Sequence, residues 1–127
     1  MTAASLVYYL LSETHVELSA GTIISRLLEG EGAKSTVTHK FWNELKALPP
    51  TVQACAKDTF ARWKLDPYNP AFHFKRIASM RGDVWSVRIV GVDGYRALAY
   101  RTAPNTFEWN RVCIHRDYDR VIASRKL

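Results

Sequence analysis

Residues 84–100 read V-W-S-V-R-I-V-G-V-D-G-Y-R-A-L-A-Y, two runs of β-branched and aromatic residues around a turn rich in Gly and Asp. That is the pattern of a β-hairpin. Each arm carries one arginine among apolar neighbours, Arg88 on the first and Arg96 on the second. Side chains alternate along a strand, so the length of the turn decides whether the two guanidiniums share a face. A three-residue loop Val92-Asp93-Gly94, with Gly94 left-handed, pairs Gly91 with Tyr95 and Val90 with Arg96. Ser86, Arg88, Val90, Arg96, Leu98 and Tyr100 then share one face, and the apolar Trp85, Val87, Ile89, Tyr95, Ala97 and Ala99 share the other. A two-residue Asp93-Gly94 turn would split the arginines. The three-residue loop is the expectation taken here, because it gives one face that packs a core and one that offers two cations to an anion.

The rest of the chain bounds what that hairpin can belong to. At 127 residues, with 47% apolar and 24% charged side chains, one folded domain with a real core is expected. No apolar run is long enough to span a membrane. Leu6–Leu11 lacks a preceding basic residue and a following cleavage site, so no signal peptide is expected. Cys55 and Cys113 are too few for a disulfide scaffold and fit buried thiols in a reducing cytoplasm. Net charge is +6, unevenly spread: residues 1–36 carry −2 and the remainder +8. A basic body with a mildly acidic extension points to a nucleic acid or another polyanion as partner.

In chain order, residues 3–14 and 20–29 repeat apolar positions at helical spacing, and Glu31–Thr36 is small and polar, a linker. Thr38 can cap a helix over Lys40–Leu48 with Phe41, Trp42, Leu45 and Leu48 on its buried stripe. Pro49-Pro50 ends it and starts a second, Thr51–Leu65, which buries Val52, Cys55, Ala56, Phe60 and Trp63. After breaks at Asp66-Pro67 and Asn69-Pro70 the period becomes that of strands: Phe72–Ile77, the hairpin, a turn at Ala103-Pro104-Asn105, and Thr106–Ile114. His115–Lys126 closes the chain as a short helix carrying Val121 and Ile122. The expected fold is α+β: a helical hairpin packed on a small antiparallel β-sheet, with a short C-terminal helix. The division is a helical extension over 1–36 and one domain over 37–127.

The four histidines have no paired metal-ligand spacing, and no Gly-rich loop precedes a helix, so no metal or other cofactor is expected. What remains is basic and aromatic: Lys75, Arg76, Arg81, Arg88, Arg96, then His115-Arg116-Asp117-Tyr118-Asp119-Arg120. Together with F-W-N-E-L-K-A-L-P-P (41–50), H-F-K-R-I (73–77), W-S-V-R-I (85–89), G-Y-R-A-L (94–98) and I-H-R-D-Y-D-R-V-I (114–122), these residues carry a resemblance. Residues 38–127 resemble the RelE/ParE superfamily of small bacterial toxins from toxin–antitoxin pairs.

The resemblance implies two helices on an antiparallel sheet and an antitoxin as partner. For members that cut ribosome-bound mRNA, it implies basic residues on one sheet face that hold the scissile phosphate. Arg88 and Arg96 stand at matching strand positions, with His115 and Tyr118 where a base or acid is often found. Lys75, Arg76, Arg81 and Arg116 are the further RNA-binding candidates. Ser86 stands where the best-studied RNA-cutting members hold a lysine. ParE-type members act on DNA gyrase and need no catalytic set, so a non-enzymatic or inactive relative is the alternative. Metal-free RNA cleavage suits the residues: a base takes the 2′-hydroxyl proton, an acid protonates the leaving 5′-oxygen, and guanidiniums steady the phosphoryl charge. Histidine is the side chain that exchanges protons near neutral pH. Of the aromatics, Trp85 and Tyr95 fall on the core face, which leaves Tyr118 to stack on a base. Residues 1–36, acidic and amphipathic, are expected to pack on the body or to mediate a homodimer.

Overall fold

The computed structural model describes residues 33–127. In chain order they form β1 (Lys34–Val37), α1 (His39–Ala47), α2 (Pro50–Leu65), a 3-10 turn (Pro70–Phe72) and β2 (Lys75–Arg76). Then come β3 (Val84–Arg88), β4 (Tyr95–Ala103), β5 (Thr106–Ile114) and α3 (His115–Ser124). One sheet runs β1-β5-β4-β3-β2, antiparallel except where β1 lies parallel to β5. This is the expected α+β architecture.

Both helices of the first pair start and stop for local reasons. The Thr38 hydroxyl accepts from the Phe41 N–H at 3.1 Å and caps α1. Pro49-Pro50 cannot continue that helix, but Pro50 suits the first turn of α2. Gln53 then donates to the Leu48 carbonyl at 2.8 Å and covers the end of α1. Phe41 and Leu45 from α1 and Ala56, Phe60 and Trp63 from α2 are buried against Val87, Ile89, Ala97 and Ala99, the apolar face of the hairpin. The Trp109 ring centre lies 4.9 Å from that of Phe60 and 5.0 Å from that of Trp63, both edge-on. The register skips Asn110 between the pairs Leu98↔Arg111 and Ala99↔Trp109, so Trp109 and Val112 both reach this core despite their odd spacing. Cys113 is buried, whereas Cys55 is half-buried.

Three elements differ from the sequence reading. Residues 34–36, expected in a linker, belong to β1: the Lys34 N–H donates to the Asn105 carbonyl, and Thr36 and Val37 pair with Glu108 and Trp109. Past the end of β1, Glu44 of α1 guards the open edge of β5, taking Arg111 Nε at 2.9 Å and the Val112 N–H at 3.4 Å. The expected strand Phe72–Ile77 shrinks to Lys75–Arg76. Asn69 accepts from the Ala71 N–H at 3.0 Å and winds Pro70–Phe72 into a 3-10 turn, which His73 ends with φ 44°. Finally, the hairpin pairs Arg88 with Arg96, and the Ile89 N–H donates to the Tyr95 carbonyl at 3.0 Å, so the loop is longer than three residues. The cause is α2: the buried Thr59 hydroxyl accepts from the Val90 N–H at 3.0 Å and donates to the Val90 carbonyl at 3.5 Å, taking Val90 out of the ladder. Because the pairing moved by two residues, every side chain still in the ladder keeps its expected face.

The second face of the sheet is only partly open. Val84 and Leu98 are buried there under α3 with Met80 and Val121, and Tyr118 and Ile122 pack at the margin. The helical readings at 3–14 and 20–29 lie outside the described residues. No described helix is long and apolar enough to cross a membrane.

Candidate functional site

Arg88 and Arg96 face one another directly across β3 and β4, so both guanidiniums rise from the same side of the sheet. Such a pair of like charges repels. Arg88 relieves this by being exposed, and Arg96 by leaning on Tyr118, its guanidinium carbon 5.4 Å from the ring centre. Lys75 pairs with Ser86, two residues from Arg88, which puts the ammonium on this face at the edge of the sheet.

The remaining groups come from the first turns of α3. The His115 N–H donates to the Gly94 carbonyl at 2.5 Å, which ties the start of α3 to the hairpin loop. Tyr118 follows one turn later, and its ring stacks with that of His115 at 6.2 Å and 19°. His115 Nε2 lies 3.3 Å from Asp119 Oδ2, an ion pair when the imidazole is protonated. Ile114 occupies the N-cap position and supplies no side-chain acceptor, so no side chain caps the first-turn N–H groups of α3. Asp119 was not singled out from sequence, although the i, i+4 spacing from His115 on a helix is its signal.

Two neighbours on this face are uncharged. Ser86 is fully buried between Lys75 and Leu98, and among the described residues its hydroxyl has no hydrogen-bond partner. Cys113 pairs with Arg96. Burial, helped by Glu44 and Asp117 and opposed by Arg111, pushes its thiol up to about 11, so no thiolate stands beside the arginines near neutral pH.

The structure therefore groups Arg88, Arg96, Lys75, His115 and Tyr118. Arg76 pairs with Trp85 on the opposite face and reaches Asp83 Oδ1 at 3.2 Å. Arg81 lies in the turn before β3, where its N–H donates to the carbonyl of Arg125 beyond the far end of α3. Arg116 is exposed in the first turn of α3. Tyr118 is half-buried and already contacts both Arg96 and His115, so its ring is not free to receive a base. Among the described residues no group of three His, Cys, Asp or Glu side chains could hold a metal ion. The arrangement can grip a phosphate between two guanidiniums and move a proton at its margin.

No protein-family model and no curated protein matches the chain. Solved structures do. One is a chain of the toxin–antitoxin complex RelBE2 from Mycobacterium tuberculosis, 20% identical with a TM-score of 0.53 over 65% of this chain and 98% of that one. Another is a chain of the archaeal RelE–RelB complex from Pyrococcus horikoshii OT3, 10% identical with a TM-score of 0.52 over 66% of this chain and 96% of that one. At these identities the likeness is one of fold, and the fold is the RelE type.

Proposed function

We propose that this chain is the toxin of a bacterial toxin–antitoxin pair and that it cuts mRNA in the cytoplasm, at the ribosome, without a metal ion. The observation that carries the reading is the Arg88–Arg96 pair, two guanidiniums directly opposite on one sheet face, with His115 and Tyr118 at its end. In the reaction a ribose 2′-oxygen attacks the adjacent phosphorus and the bond to the 5′-oxygen breaks. The products are a 2′,3′-cyclic phosphate and a 5′-hydroxyl. Arg88 and Arg96 balance the charge that builds on the phosphoryl oxygens. His115, held by Asp119, takes the 2′-hydroxyl proton and delivers it to the leaving 5′-oxygen, and Tyr118 holds Arg96 and His115 in register. Of the structures it resembles, one is a toxin–antitoxin complex and another a RelE–RelB complex, which supports a cognate antitoxin as partner.

Expression without that antitoxin should arrest growth, and Arg96→Ala or His115→Ala should relieve the arrest while the protein stays folded. If both variants remain fully toxic, the site is elsewhere. Inhibition of gyrase supercoiling by purified protein, with no RNA cut, would favour the non-enzymatic reading instead. The acidic segment ahead of β1 is assigned to contacts with the toxin body or with a second copy. Deleting residues 1–32, which spares β1, should raise toxicity if those contacts inhibit. Gel filtration of the same variant reads the dimer.

A further inference from the structure

Beside Arg96 the Tyr118 ring is already engaged with Arg96 and His115, so an RNA strand held there would gain from a further base-stacking surface beyond it. Such a surface stands around the β2 edge. Lys75 and Arg76 are consecutive, so the alternation of an extended strand sends Lys75 to the Arg88 face and Arg76 to the other, beside Trp85. Phe74, next in line, stacks on Trp85 with ring centres 4.8 Å apart and planes at 28°. Tyr68, from the turn after α2, leans on Phe74 at 5.6 Å and is 65% exposed. The ring is backed by a continuous run of aromatics into the core, since Phe74 also meets Trp63 and Phe107 edge-on.

Charge accompanies the ring. Asp83 accepts from Arg76 Nε at 3.2 Å, from Arg101 Nε at 2.7 Å and from the Trp85 indole at 2.8 Å. One carboxylate thus fixes two guanidiniums and leaves the cluster cationic, and both arginine side chains are about half exposed, 53% and 43%. Arg101 also lies over Trp85, 5.6 Å from its ring centre, and with Asp83, Thr102, Ala103 and Pro104 lines an open cavity of about 310 Å³. An exposed ring joined through Phe74 and Trp85 to fixed guanidiniums is the combination that single-stranded nucleic acid uses, stacking a base and neutralising a phosphate.

We propose that Tyr68, Arg76 and Arg101 form a second RNA subsite, reached by the strand crossing the β2 edge over Lys75. Lys75 is a diagonal neighbour of Arg88, roughly 7–8 Å away, and stands on the path from the platform to the edge. The subsite rests on the RNA-binding reading of the arginine platform and extends it. Stacking tolerates any base, so the subsite lengthens the bound strand without selecting sequence.

The test uses 5′-fluorescein-labelled 2′-O-methyl oligoribonucleotides, which cannot be cut, of about three and about eight nucleotides, the longer within the range one small domain covers. Wild-type protein should bind the longer probe about tenfold more tightly than its added charge alone gives. Tyr68→Ala should lose that gain and keep the affinity for the short probe, whereas Tyr68→Phe should retain both. Arg88→Ala should weaken both lengths. Equal affinities of Tyr68→Ala and wild type for the longer probe overturn the subsite and leave the platform intact. Failure of wild type to bind either probe overturns the platform and the subsite together.

Discussion

Cys113 stands directly across the sheet from Arg96, yet burial governs its thiol and holds the proton up to about pH 11 against an ordinary value of 9.0. The unfolded chain therefore loses this proton first, and between pH 9 and 11 the folded state binds more protons than the unfolded one. The Cys113 contribution to stability therefore falls as pH rises through that window, by on the order of 2 kcal/mol in all. Cys113→Ala should flatten this alkaline slope in urea titrations, and a slope unchanged by the substitution would remove the assignment. Ser86 offers a second residue-scale test. Its hydroxyl is fully buried and unpartnered among the described residues, which costs roughly 1–3 kcal/mol of desolvation. Ser86→Ala should stabilise the fold by about 1 kcal/mol. A loss of stability would mean that the hydroxyl has a partner after all. Among the described residues the sheet cations of this face that no carboxylate neutralises are Arg88, Arg96 and Lys75, since Arg111, opposite Leu98, is paired with Glu44.

Elements set by local chemistry were readable in advance. The apolar stripes of α1 and α2, the Thr38 cap and the Pro49-Pro50 break need only neighbours in sequence, and β5 was read to its bounds. β1 was not readable, because a four-residue strand of mixed polarity is defined by its partner, Thr106–Trp109, some seventy residues away. The hairpin lies between these cases. Its faces were legible from parity, but its register was decided by Thr59, a residue of another element. That staple is testable. Thr59→Val keeps the volume and leaves the N–H and carbonyl of Val90 without the hydroxyl, at a cost of about 1–2 kcal/mol. The Val90 amide should lose hydrogen-exchange protection selectively, and Thr59→Ser should restore it. Uniform loss of protection across the sheet would instead indicate general unfolding. The grouping of the candidate residues was legible to the same degree: residues on the hairpin and α3 came together by alternation and helical spacing. Arg76 and Arg81 did not, since Asp83 and the C-terminal Arg125 decide where they lie.

At the scale of the molecule, the imbalance of charge becomes directional once the sheet is built. The +8 body carries its sheet-face cations, Arg88, Arg96 and Lys75, on one side, with the β2 edge leading to Arg76 and Arg101 around the corner. The opposite layer, α1 and α2, is committed to the aromatic core. Binding through such a platform is electrostatic, and each phosphate neutralised releases counterions, so affinity must fall with salt in proportion to the contacts made. For single strands the slope of log K against log salt is about −0.7 per contact. A short oligonucleotide confined to the three sheet-face cations should therefore give a slope of about −2. Arg88→Ala should reduce it to about −1.4, whereas Arg81→Ala, in the turn by the far end of α3, should leave it unchanged. Longer strands that reach Arg76 and Arg101 should steepen it again. A slope near zero for the wild-type protein would show that RNA is not held by these charges. Equal reductions from Arg81→Ala and Arg88→Ala would show a diffuse basic surface in place of a site.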